Sequence, residues 1–309
     1  MSVLRVRATD LSGREEALTP TFLRLRRGMD SPAEGAVGRF PVDRRPGELL
    51  RLRIWRGSDL LFDGKPDEQR FTLSGQGMLL HLEARTKGGI LLDNEARPET
   101  LEHPTVAGVF GRLIGPHGFL LIGQHATLPE FTIRKGLTLW DAFSAFTRRT
   151  LGRLPYLVGD TVFADPPVQG DPLTIGGREL PFSRMEYTLR HYKPVSRVYI
   201  RDDEGYYHTS VGNPDSGRRQ ILRERYLIPA GEFANIPRWD SHARIRRSMR
   251  EMEKVEVELP GCHPLRLGRG VIIESEQVFL PNLVVDQVDY TLDEKGERTT
   301  VTLGNALFN

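Results

Sequence analysis

Residues 103–119, HPTVAGVFGRLIGPHGF, and residues 137–152, LTLWDAFSAFTRRTLG, decide the fold class, because they set helical periodicity inside a chain otherwise written in alternation. In the first, Val106, Val109, Phe110, Leu113 and Ile114 share one stripe at 3.6-residue spacing, with Pro104 near the first turn and Gly115-Pro116 as the stop. In the second, Leu139, Ala142, Phe143, Phe146 and Thr150 share a stripe, Thr138 is placed to cap and Gly152 to end the helix. Short strands, PEFTIRKG and LPYLVGDTVFADPP, complete a compact α/β module over residues 87–166.

Outward from this module the chain reads as strands. On the N-terminal side, VLRVRAT, FLRLRRG, LLRLRIWRG and SDLLFDGKPDEQRFTLSG alternate apolar and polar residues between Gly, Asp and Pro turn signals. They predict a first antiparallel barrel over 1–86, closed by a short helix at GMLLHLEAR and completed by a strand within about 171–191, in RMEYTLR. The N-terminus itself lacks the apolar core of a secretory signal and reads as a strand. On the C-terminal side, 192–309 predicts a second barrel with one helix over 241–254, capped by Asp240 or Ser241 and packed on that barrel through Ile245, Met249 and Met252. The fold class is therefore mainly β with α+β elements: two antiparallel barrels and an inserted α/β module. The barrel-plus-helix pattern at both ends further suggests that the barrels are copies of one fold, with GMLLHLEAR and HARIRRSMREME as equivalent helices.

Chemistry-bearing residues are present, but their spacing argues against a reaction centre. Asp93, Glu95, Glu99, Glu102, His103 and His117 fall within residues 88–119. The acids precede a helix N-terminus, where the macrodipole favours them in any protein. His103 and His117 lie at opposite ends of that helix, on the order of 18 Å apart, too far to share a metal. Cys262 is the single cysteine, which excludes an internal disulfide and a cysteine zinc site, and its neighbour His263 points away on an extended chain. Ser74 lacks the context of a nucleophile elbow, and SGQGMLL that of a phosphate loop. Asp202-Asp203-Glu204 reads as a solvated turn, and Arg244, Arg246, Arg247 and Arg250 as an exposed or subunit-facing helix side without the interleaved aromatics of a nucleic-acid platform. Lys+Arg 43 against Asp+Glu 41 leaves no global field to recruit nucleic acid or acidic membrane. No catalytic, cofactor-binding or metal residue is assigned.

The segments LLDNEARPETLEHPTVAGVFGRLIGPHGF and FTIRKGLTLWDAFSAFTRRTLGRLPYL, with Gly136-Leu137-Thr138-Leu139-Trp140 opening the second helix, resemble the middle section of phage tail baseplate hub proteins of the late control D-like family. PGCHPLRLGRGVIIES and LVVDQVDYTLDEKGERTTVTLGNALF resemble that family's strand-turn and closing hairpin. The resemblance implies tail-tube-like barrels in a homotrimeric ring that joins a hexameric tail tube, or its initiator protein, to a trimeric central spike in the virion baseplate. It also implies baseplate wedge or LysM-like tail proteins as further partners, and no cofactor, membrane or specific nucleic acid. Two other classes remain open from the residues alone: a cell-wall-acting hydrolase using Asp93 and Glu95, and a nucleic-acid-binding barrel using Arg244 to Arg250.

Overall fold

In the computed structural model, residues 3–75, 77–123, 125–165, 171–177, 180–229 and 237–306 are described, with the backbone alone at 237 and 239. The expected boundary at 166 and the expected chain ends at 1 and 309 lie outside these residues. The N-terminal part contributes β1 (Leu4–Asp10), β2 (Glu15–Leu18), β3 (Phe22–Gly28), β4 (Gly35–Val42), β5 (Leu49–Arg56), β6 (Asp59–Ser74) and β7 (Gly77–Thr86). All pair antiparallel, in the order β3-β4-β7-β6-β5-β1-β2, and curl around one apolar core that includes Leu23, Phe40, Leu52, Ile54, Leu80 and Leu82.

The helical module follows: α1 (Ile90–Asp93), β8 (Glu99–Glu102), α2 (Val106–Leu113), β9 (Leu120–Ile122), β10 (Glu130–Ile133), α3 (Leu139–Leu151), β11 (Tyr156–Val158) and β12 (Thr161–Phe163). Thr105 and Thr138 cap α2 and α3 by accepting the Gly108 and Asp141 amides at 3.0 Å each. Gly152 stops α3 in the left-handed region, φ 69. Both stripes face a core of their own, running from Leu91 to Ala164.

The C-terminal part contains β13 (Leu173–Ile175), β14 (Arg184–Leu189), β15 (Arg197–Ile200), β16 (Thr209–Gly212), β17 (Glu224–Leu227), α4 (Pro237–Arg250), β18 (Glu253–Pro260), β19 (Gly270–Glu274), β20 (Phe279–Asp293) and β21 (Gly296–Asn305). Strands β14-β18-β21-β20-β19 wrap a third core around Val255, Val257, Ile273, Val285 and Val301. The end of β20 pairs with β3, so one continuous sheet runs through both halves.

The two halves repeat. β3-β4-β7-β6-β5 and β14-β18-β21-β20-β19 have the same spatial order, with every neighbour antiparallel. A displacement of 219 residues carries Ala36 to Val255, Leu82 to Val301 and Phe71 to Tyr290, each at the matching ladder position. It also carries the ladder irregularity at Asp67 of β6 onto the one at Asp286 of β20. At these points each strand leaves a neighbour: β6 turns away from β5, and β20 turns away from β19 and on to β3.

Four expectations need correction. GMLLHLEAR is not a helix but β7, whose Leu80, Leu82 and Ala84 turn inward while Leu79, His81 and Glu83 turn out. Pairing with β4 on one side and β6 on the other overrides the helical propensity of its Met, Leu, Glu and Ala. The helices expected to be equivalent therefore are not. RMEYTLR pairs with β18 and is the first strand of the second half, so it does not complete the first. The C-terminal helix spans Pro237–Arg250: Asp240 lies inside its first turn, and Met252 is buried just beyond its end.

Nor does that helix pack on the second barrel through Ile245. Ile245 joins Val195, Val198, Ile200, Val211 and Leu227 under a separate three-stranded sheet, β16-β15-β17. Met249 receives the Asn213 side-chain amide on its sulfur at 3.1 Å. Met249→Ala is expected to cost about 2–5 kcal/mol, read as a lowered denaturation midpoint, since the residue is 1% exposed. An unchanged midpoint would place the helix elsewhere.

Candidate functional surfaces

The acids and histidines of residues 88–119 are held apart in structural roles. The Arg85 guanidinium binds Asp67 at 2.6 Å and Asp93 at 2.9 Å, and these two carboxylates hold it firmly protonated. Glu95 accepts the Gly136 backbone amide at 2.7 Å, bracing the turn ahead of α3. Glu99 receives Arg112 Nε at 2.6 Å. Glu102 is exposed on β8, His103 turns the chain at φ 46, and His117 sits in a short 3-10 turn after α2. Among the described residues no group of three or more His, Cys, Asp or Glu side chains is placed to hold a metal ion.

Arg244 and Arg247 are exposed on α4, as expected, and with Arg250 they meet carboxylates of their own chain. Arg244 pairs with Asp240 at 2.8 Å, Arg247 with Glu251 at 3.3 Å, and Arg250 with Asp286. Arg246 reaches the Gly152 carbonyl at 3.4 Å. Asp202 accepts the Tyr206 amide at 2.7 Å and faces His208, as a turn acid does. Burial pushes the Cys262 thiol up to about 11. It is expected to resist alkylation in the folded chain at neutral pH and to react at once on unfolding, because the thiolate is the nucleophile. Equal labelling rates in both states would contradict that burial.

The conspicuous surface is the sheet itself. From β14 to the far half of β6, eight strands run in the order β14-β18-β21-β20-β3-β4-β7-β6, each antiparallel to the next. One side of this sheet packs on the two β cores. The other is polar, with Arg24 on Asp289 at 2.8 Å, Arg26 on Gln287 at 3.0 Å and Lys254 on Glu256 at 3.1 Å. At one end β14 pairs only with β18, and at the other Glu68–Leu73 pairs only with β7 among the described residues. Both edges expose apolar side chains: Phe71 is 41%, Leu73 71% and Tyr187 44% exposed. Sequence reasoning passed over these edges. A signal was there, since DEQRFTL at 67–73 and DQVDYTL at 286–292 share Asp, an aromatic, Thr and Leu in register.

No known protein-family profile matches the sequence, and no curated protein sequence matches it. Solved structures do. The 43 kDa tail protein of prophage MuSo2 from Shewanella oneidensis matches at TM-score 0.80 and 12% identity, over 100% of this chain and 99% of that one. The tail protein from Neisseria meningitidis MC58 matches at TM-score 0.74 and 16% identity, over 98% of this chain and 96% of that one. The E. coli c3393 protein is a component of the type VI secretion system with structural similarity to the T4 bacteriophage tail proteins gp27 and gp5. It matches at TM-score 0.62 and 9% identity, over 96% of this chain and 76% of that one. The fold of this chain is that of phage and prophage tail proteins.

Proposed function

We propose that this chain is a structural baseplate hub of a phage tail or phage-like injection particle, three copies of which form a ring between a hexameric tail tube and a trimeric central spike. The observation that carries this is the eight-stranded sheet crossing two halves of identical strand order. Three such chains present six like units around one annulus, which suits a sixfold tube, while the chain repeat keeps strict threefold symmetry for a spike. A closed cyclic arrangement also satisfies both edges of every chain, where an open one would polymerise. Twenty-four strands spaced about 4.8 Å apart give a passage of roughly 37 Å between backbones, lined by the polar face.

The role is one of shape and symmetry, without catalysis or cofactor, and the location is the virion baseplate. The tube or its initiator protein and the spike are the axial partners, with wedge or LysM-like tail proteins outside. Phage tail and type VI secretion proteins among the matched structures support the reading. Asp93 and Glu95, on which a hydrolase would draw, are engaged by Arg85 and by the Gly136 amide, which favours the structural reading. Arg244, Arg247 and Arg250 pair with carboxylates of their own chain, which favours the hub reading over a nucleic-acid one. Native mass measurement, on the chain alone and with the spike protein, is expected to give a trimer. A monomer or dimer under both conditions at every concentration would sink the hub reading.

A further inference from the structure

The open edges of the eight-stranded sheet are chemically matched, and the chain already contains a template for joining them. Inside the chain, β20 of the second half pairs with β3 of the first, Tyr290 facing Leu25, Leu292 facing Leu23 and Gln287 facing Gly28. By the internal repeat, β6 is the counterpart of β20, and β14 is the counterpart of β3. Ladder positions carry Tyr290, Leu292, Asp289 and Gln287 onto Phe71, Leu73, Arg70 and Glu68. They carry Leu25, Leu23 and Arg24 onto Tyr187, Met185 and Glu186. The internal joint thus has a counterpart whose two edges pair with no further strand among the described residues.

We infer that these edges join neighbouring copies head to tail, β6 of one chain lying antiparallel to β14 of the next. The joint has Phe71 opposite Tyr187 and Leu73 opposite Met185, with Arg70 diagonal to Glu186. This rests on the ring reading above and names the contact that closes the ring.

Three independent features agree. The first is direction: eight strands, each antiparallel to the next, leave the two end strands running opposite ways. Cyclic symmetry keeps the neighbour's β14 in its original direction, so the joint is antiparallel, as β20–β3 is. The second is facing: Phe71 and Leu73 share a side with buried Leu80, while Tyr187 and Met185 share one with buried Val255 and Val257. Apolar meets apolar on the core side. The third is charge: on the polar side Arg24–Asp289, 2.8 Å apart across the internal joint, becomes Glu186–Arg70, the same diagonal with its signs exchanged. In the single chain Arg70 and Glu186 rest on their own strands, against Glu68 and Arg184. Neither edge carries a proline or a bulge over Glu68–Leu73 or Arg184–Leu189, two of the devices that keep an edge single.

Paired substitutions in the full chain test the joint. Arg70→Glu or Glu186→Arg alone is expected to raise the concentration needed for half-assembly about tenfold or more, and the double reversal to bring it back towards the parent. Leu73→Cys with Met185→Cys should give covalent closed trimers on mild oxidation, because facing Cα atoms lie within disulfide reach. Leu73→Cys with Tyr187→Cys, one diagonal away, should give few, and half-buried Cys262 stays a thiol throughout. Rings that form normally, yet neither cross-link at the matched pair nor recover in the double reversal, would overturn this joint and leave the hub reading intact. Absence of rings of the parent chain, with and without the spike, would overturn both.

Discussion

Phe143→Ala is expected to destabilise the helical module by about 3–5 kcal/mol, the range for emptying a fully buried aromatic site. Phe143 has no exposed surface and lies in the middle of α3, edge-on to Phe110 of α2 with ring centroids 5.9 Å apart. One turn later Phe146 is equally buried against Phe131 at 5.1 Å. These two ring pairs join both helices to β10, so the cavity left by alanine, with the Phe110 ring on one side, has little freedom to collapse. Among the described residues the module core, Leu91 to Ala164, is distinct from the cores of the two β halves, while Tyr156 and Phe163 of β11 and β12 pack into the second of these. Denaturant unfolding followed by signals from the module, such as Trp140 fluorescence, should shift strongly, and strand circular dichroism less. A loss below about 1 kcal/mol would mean that α3 does not bury this face.

That module was the most legible part of the chain, and the reason is local. The stripes of α2 and α3, Thr138 as cap and Gly152 as stop are set by residues a few positions apart, where periodicity and capping act directly. The missed features depend on residues far away. β7 became a strand because β4 and β6 flank it, and RMEYTLR joined the second half because Val255 and Val257 of β18 lie beside it. The arginines of α4 looked outward-facing in sequence, yet Arg250 finds Asp286 on β20. The separation of His103 from His117 was readable from spacing alone, because the turns of α2 lie between them. The joining edges were not, since an unpaired edge is defined only by knowing every pair in the sheet.

Gly88→Ala should have a comparable cost, about 3 kcal/mol, although it adds a single methyl group, because the clash is with backbone. A Cβ at Gly88 would stand 1.9 Å from the Pro32 carbonyl oxygen, 2.7 Å from its carbon and 3.2 Å from the Ala33 nitrogen. None of these atoms can rotate away. The short turn at Lys87–Gly89 leads from β7 into α1, and it is tied on every side. Just before it, the Thr86 amide donates to the Glu34 carbonyl at 3.0 Å, and the Glu34 amide donates back to Thr86 Oγ1 at 3.1 Å. Lys87 Nζ reaches across to the Gly118 carbonyl at 2.8 Å and lies 4.6 Å from the centre of the Phe119 ring. Alanine must therefore push the β3–β4 connection away from the module or pull β7 off its ladder. Gly89 provides the control, because a Cβ there would meet only the Arg85 side chain, at 3.5 Å. Gly89→Ala should stay within about 0.5 kcal/mol of the parent. Thermal unfolding of the two variants side by side decides the matter: equal midpoints would mean that Pro32 does not pack against this turn. A drop confined to Gly88→Ala would identify the turn as the rigid connection between the first β half and the helical module.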